Sequence, residues 1–137
     1  MRFLRPIGTL CYLLFTPRAA REFDEACKTR PLLDDTSFYA LHYGSSGIPC
    51  EVPVFLRQLL TRHLGKSFLK VRPEDNPFII FDDLDFADLL PPLEERFKFH
   101  FPRKELPPEF DGSFDSIVRY IARNGRWSNA RPDRDCL

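Results

Sequence analysis

The residue types able to do chemistry are sparse and scattered. Four cysteines, Cys11, Cys27, Cys50 and Cys136, are separated by 15, 22 and 85 residues, and His42, His63 and His100 are spread as widely. Zinc sites draw on close Cys and His pairs, which this spacing does not offer, so no metal is expected. Nucleophilic catalysis needs a Ser or Cys beside a His that an acid orients, and the chain has neither G-x-S-x-G nor a catalytic-cysteine context. Cys50 and His63 share one stretch of helical periodicity, where 13 residues set them roughly 20 Å apart. Six glycines, none in a G-x-G-x-x-G or G-K-[ST] arrangement, leave no phosphate cradle. The expectation is a protein that is not an enzyme, with reduced thiols and a cytoplasmic location.

The carboxylates are more informative. The 20 basic and 20 acidic side chains cancel over the whole chain, which argues against coating nucleic acid or anionic lipid by bulk charge. They do not cancel locally. Residues 50 to 72 hold five Lys or Arg against one acid, and residues 73 to 95 hold eight Asp or Glu and no Lys or Arg. Within the second block, Asp82, Asp83, Asp85, Asp88, Glu94 and Glu95 form the candidate binding surface. One reading is an ordinary solvated face with helix capping. The other is a negative surface that steers a basic partner protein into contact.

The elements that position these groups are short helices. A chain of 137 residues with 43% hydrophobic side chains, 14 of them Phe, can bury a single core. The 13 prolines leave no room for a long helix or a coiled coil, and the fold class expected is all-α. From Arg18 to Lys28 the stripe Ala19, Phe23, Ala26, Cys27 marks an amphipathic helix. Asp34 or Asp35 caps a second, through Phe38, Tyr39 and Leu41 to Gly44. The run Gly44-Ser45-Ser46-Gly47-Ile48-Pro49 is turn chemistry, taken as the end of an N-terminal extension over residues 1–48. Val52, Phe55, Leu56, Leu59, Leu60 and Leu64 then fall on one helical face, with Pro53 in the first turn and Gly65 as a cap. Lys66 to Phe81 reads as irregular connection. Asp82-Asp83-Leu84-Asp85 opens a helix through Leu84, Leu89 and Leu93 to Phe97, which Pro91 and Pro92 should kink or split. Phe99 and Phe101 alternate with Lys98 and His100 as an extended piece. Ser113 caps a last helix carrying Phe114, Ile117, Val118 and Ile121, closed by Gly125, with residues 125–137 as a flexible tail. Arg2 and Arg5 ahead of the apolar run from Ile7 to Phe15 have the charge order of a secretory signal, but nine apolar residues fall short of the roughly 20 of a membrane span. Membrane contact through residues 2–15 is an alternative use of that run.

In this order the motifs resemble the acyl carrier protein family. The resemblance is carried by Glu51 to Gly65, Asp82-Asp83-Leu84-Asp85, Leu93-Glu94-Glu95-Arg96-Phe97 and Ser113 to Ile121, about 75 of the 137 residues. It implies a small helical bundle over residues 49–124 whose second helix docks basic patches on synthases or transferases. It also implies a serine after the first Asp of the second-helix motif, carrying phosphopantetheine. That position is Asp83, whose carboxylate cannot accept the group as a serine hydroxyl does. The expectation is therefore a carrier-like binding module without a prosthetic group. The alternative is a genuine carrier for fatty acid or polyketide synthesis that attaches phosphopantetheine elsewhere, with Ser116, inside Phe114-Asp115-Ser116-Ile117, as the candidate.

Overall fold

Helix α3, Glu51–Leu64, shows how closely local sequence dictates the architecture. Val52, Leu56, Leu59 and Leu60 are buried on its inner face, and Pro53 sits in the first turn, where a missing N–H is harmless. Gly65 adopts φ +115° and donates its N–H to the Thr61 carbonyl, an ending that a residue with a Cβ resists. The computed structural model describes residues 18–80, 86–102 and 105–126. Among them are six α-helices, one 3₁₀ helix at Lys66–Lys70 and no strand: an all-α fold. The others are α1 Arg18–Cys27, α2 Asp35–Tyr43, α4 Pro77–Ile80, α5 Phe86–Phe97 and α6 Phe114–Asn124. None of the helices among the described residues is long and apolar enough to cross a membrane. Residues 2–15, Leu84 and the tail beyond Arg126 lie outside the described residues.

One apolar core runs from Ala20 in α1 to Ile121 in α6, with no gap at the Gly44–Pro49 turn. α1 buries Ala20, Phe23 and Cys27, a stripe rotated slightly from the expected one, with Ala19 and Ala26 half-buried at its edges. In α2, Asp34 caps the Ser37 N–H at 2.8 Å and Phe38, Tyr39 and Tyr43 face inward. The Tyr39 hydroxyl donates to the Ile48 carbonyl, so the turn is stitched to the helix before it. Phe38 meets Phe114 of α6 edge to face at 5.8 Å.

The stretch expected to be irregular is partly helical. In the 3₁₀ helix Phe68 is fully buried, its ring 4.8 Å from that of Phe23. α4 has its own start signal: Asn76 Oδ1 accepts the N–H groups of Phe78 and Ile79, and Pro77 follows at the first helical position. Asn76 also donates to the Asp111 carbonyl at 2.8 Å. Gly112, at φ +86°, lies so close that a Cβ there would come within 3.0 Å of the Asn76 side chain.

The expected break in the acidic helix does not occur: α5 is one helix with Pro91 and Pro92 inside it. Pro91 is exposed and Pro92 half-buried, so neither ring is forced into the core. Leu89, Leu93 and Phe97, one turn apart, are completely buried and hold the helix together through packing. Lys98 ends it at φ +55°, its N–H returning to the Glu94 carbonyl at 2.9 Å. Phe99 and Phe101 are both buried while Lys98 and His100 are exposed, which matches their alternation, and Phe101 stacks on Tyr120 of α6 at 4.9 Å. Gly125 and Arg126 are anchored by hydrogen bonds to the Ile121 and Phe97 carbonyls; the rest of the expected tail lies outside the described residues.

Lys98 is exposed and holds a backbone conformation that favours glycine. Lys98→Gly should stabilise the protein by about 1 kcal/mol. A higher urea midpoint checks this; a lower one would show that the lysine side chain does more than tolerate the turn.

Candidate functional site

The structure describes three of the six candidate acids, and these three do not share one surface. Asp82, Asp83 and Asp85 lie outside the described residues. Asp88 and Glu95 are exposed, and their spacing of seven places them on one stripe of α5 with Pro91 and Pro92 between them. Glu94 is different. Its side chain is only 12% exposed, and one carboxylate oxygen accepts the Phe101 N–H at 2.7 Å. Next to buried Leu93 it faces the core edge and anchors the link after α5. The first cation after the stripe, Arg96, pairs with Glu51 of α3 at 2.8 Å and lies over the Phe97 ring at 5.1 Å. The outer face of α5 is left with Asp88 and Glu95.

Ser116, the candidate attachment residue, lies among the described residues. Ser116 is half-buried in the first turn of α6, where its hydroxyl donates to the Ser113 carbonyl at 2.8 Å and its N–H to the Ser113 hydroxyl at 3.1 Å. The two preceding amides of that turn, Phe114 and Asp115, donate to the carbonyls of Asp75 and Pro73. A hydroxyl so engaged and enclosed does not fit a phosphopantetheine attachment point. Ser45 and Ser46 are exposed, but Ser46 donates to the Tyr43 carbonyl at 2.7 Å within its turn.

The cysteines and histidines also stay apart. Cys27 is buried, its thiol 3.6 Å from the Ser67 carbonyl, and burial raises its pKa, the opposite of what a nucleophile needs. Cys50 is disulfide-bonded, so the expectation of reduced thiols fails there; its partner lies outside the described residues. His63 and His100 are exposed and His42 half-buried. No cluster among the described residues offers three His, Cys, Asp or Glu side chains to a metal.

Sequence reasoning missed the groups that organise the interior. Arg57 is 2% exposed. Its Nη1 donates to the Leu33 and Leu69 carbonyls at 3.0 and 2.9 Å, and its Nη2 to Asp35 at 2.7 Å. The guanidinium lies 4.6 Å from the centre of the Phe38 ring, and its buried Nε has no acceptor. Arg30 grips Asp75 through two bonds of 2.6 and 3.1 Å, and Asp75 also accepts the Arg72 N–H at 2.8 Å. Tyr43 donates to Asp115 at 2.9 Å, while Arg119 holds the other oxygen at 2.8 Å. Burial, and then the Asp115 charge, raise the Tyr43 pKa far above the ordinary phenol range, so this tyrosine is a fixed donor and not an acid. These arginines are spaced like surface charges; the only hint was Arg57 on the apolar side of its helix.

A small open cleft of about 40 Å³ lies beside this network, lined by Leu33, Phe38, Leu41, His42 and Leu69 with Arg30, Lys70 and Arg72. No family model matches the chain, and neither does any curated protein or solved structure.

Replacing Arg57 by Leu keeps bulk but strands two buried carbonyls and Asp35. Because Asp35 remains 34% exposed and can rehydrate, the cost should fall near the low end of that for a broken buried pair, about 3 kcal/mol. Urea unfolding would measure it, and a loss under about 1 kcal/mol would make the network dispensable. His42 supplies a pH test. Desolvation lowers its pKa from 6.5, against Glu74, which favours protonation, and together with Arg72 and Arg57, which oppose it. The unfolded chain therefore binds more protons there, and stability should fall as pH drops from about 7.5 to about 5.5. The thermal midpoint should follow that trend in the wild type and flatten in His42→Gln; identical pH slopes in both would remove His42 from the account.

Proposed function

We propose that this chain is a non-enzymatic, acyl carrier protein-like binding module that works without phosphopantetheine and docks a basic protein surface through α5. The observation that carries the reading is the outward stripe of Asp88 and Glu95, with the neighbouring cation Arg96 tied to Glu51. The order of α3, the connection through α4, the acidic α5 and the capped α6 agrees with the motif order of the resemblance. Asp83 in place of a serine supports the absence of the arm.

Physically, such a face works through long-range attraction. Carboxylates on an exposed helix raise the rate of encounter with a cationic patch and set its orientation, while adding little affinity once screened by salt. Pro91 and Pro92 give the stripe a rigid apolar strip between the charges, against which a partner's aliphatic lysine stems can pack. A synthase or transferase bearing such a patch is the partner class the resemblance implies.

The double variant Asp88→Lys/Glu95→Lys should lose the partner that the wild type captures from its own cell extract, with affinity down about tenfold or more and less dependence on salt. Glu22→Lys/Glu25→Lys, which reverses two exposed acids of α1, is the matched control and should bind as the wild type does. Equal capture by the α5 variant and the wild type would refute the reading.

A further inference from the structure

The basic block that precedes the acidic one has its own use. No Asp or Glu occurs from residue 52 to residue 73, and within that stretch the 3₁₀ helix Lys66–Lys70 forms one wall of the cleft described above. Side chains three apart on a 3₁₀ helix lie one above the other, so Lys66 sits over Leu69, a lining residue. Lys70 and Arg72 line the cleft directly. Lys66, Lys70 and Arg72 enter no ion pair among the described residues; the Lys70 ammonium donates only to the Cys27 carbonyl, at 2.9 Å. Arg30, the other cation of the lining, is neutralised by Asp75. Exposed Glu74 and Asp34 flank the cleft and Asp24 reaches Ser67 at 3.5 Å, so the positive side is the wall of Lys66, Lys70 and Arg72 and not the whole rim.

The opposite wall is apolar and open. Leu41 of α2 is 66% exposed at the cleft mouth, and Leu32, next to the lining residues Pro31 and Leu33, is 65% exposed. Leu41 interrupts a helix whose other large side chains, Phe38, Tyr39 and Tyr43, are all buried. An exposed apolar edge bordered by unneutralised cations suits a ligand that is both apolar and anionic.

We infer that this cleft is a second docking surface, which takes an acidic segment of a partner protein and seats one small aliphatic side chain between Leu41 and Leu69. The carboxylates of that segment lie along Lys66, Lys70 and Arg72. Phe38, the one Phe, Tyr or Trp in the lining, is buried, so the cleft offers a base no such ring to stack on, which favours a peptide over nucleic acid. This surface is independent of the α5 stripe and selects a partner of the opposite charge.

The test uses the full chain and a short fluorescein-labelled peptide of Asp and Glu with one central Leu. Controls are the same peptide with Ser in place of Leu, its Lys counterpart, and a labelled oligothymidylate. The acidic Leu peptide should bind and shift the backbone amide resonances of Leu41, Leu69 and Arg72. Affinity should fall about tenfold or more in Lys66→Glu/Arg72→Glu, and with the Ser peptide or in Leu41→Ser. These positions are exposed at the surface, and an unchanged thermal midpoint would confirm that the variants fold. No binding to the folded wild type would overturn the inference, as would equal binding by the variants or tighter binding of the oligothymidylate. Self-association that Arg72→Glu abolishes would give the face to a second copy and overturn it equally. The neutral variant Asp88→Ser/Glu95→Ser should bind the acidic peptide as the wild type does, and a tenfold loss there would overturn the inference, so the two surfaces are separable by experiment.

Discussion

A charged side chain in the middle of a small apolar core is the constraint on which the rest of this structure depends. Arg57 could not be buried at 2% exposure unless two other segments came to it. The Leu33 carbonyl before α2, Asp35 at the start of α2 and the Leu69 carbonyl of the 3₁₀ helix all meet one guanidinium. A planar fork with several donors can do this; a lysine ammonium cannot reproduce the geometry. The arrangement fixes α2 against α3 and sets the course of the chain after Gly65, and so it also builds the neighbouring cleft. Asp75 repeats the logic nearby, joining Arg30 to the loop before α4 while its own carbonyl receives the Phe114 N–H at the start of α6. The N-terminal helices are thereby locked into the bundle and not merely laid over it.

Charge plays two roles in this chain that composition alone does not separate. Arg57, Arg30, Arg96, Arg119, Asp35, Asp75, Glu94 and Asp115 are spent internally, in pairs and in hydrogen bonds to the backbone. Other charges point outward, among them Asp88 and Glu95 on α5 and Lys66 and Arg72 around the 3₁₀ helix. The internal set supplies geometry, since a buried pair gives specificity of arrangement more readily than net stability. A chain with no formal net charge can thus present local surfaces of both signs.

The helices were legible where short-range rules govern them. The Asp34 and Ser113 caps, the Gly65 and Gly125 endings and the inward faces of α3 and α6 follow from local sequence. α4 was missed although Asn76 and Pro77 spell a start signal, because the surrounding prolines suggested an irregular segment. The unbroken α5 could not be read from two prolines in its middle, since what rescues it is tertiary packing of Leu89, Leu93 and Phe97. Glu94 looked the same as Glu95 in the sequence. Its capture by the Phe101 N–H depends on how the chain turns at Lys98, which only the fold reveals. The arginine networks were illegible for a similar reason: their acceptors are backbone carbonyls 24 and 12 residues away, and carbonyls leave no trace in side-chain pattern. The disulfide at Cys50 was hidden by a spacing that suggested no framework.

The central claim is a carrier-like helix order that operates without the carrier's prosthetic arm. The most direct measurement is the intact mass of the folded protein before and after incubation with coenzyme A and a broad-specificity phosphopantetheinyl transferase. With Asp83 at the serine position and the Ser116 hydroxyl engaged inside α6, the mass should not change. A gain of one phosphopantetheinyl group would contradict the account and make the chain a true carrier, with peptide mapping to find the residue that holds the arm.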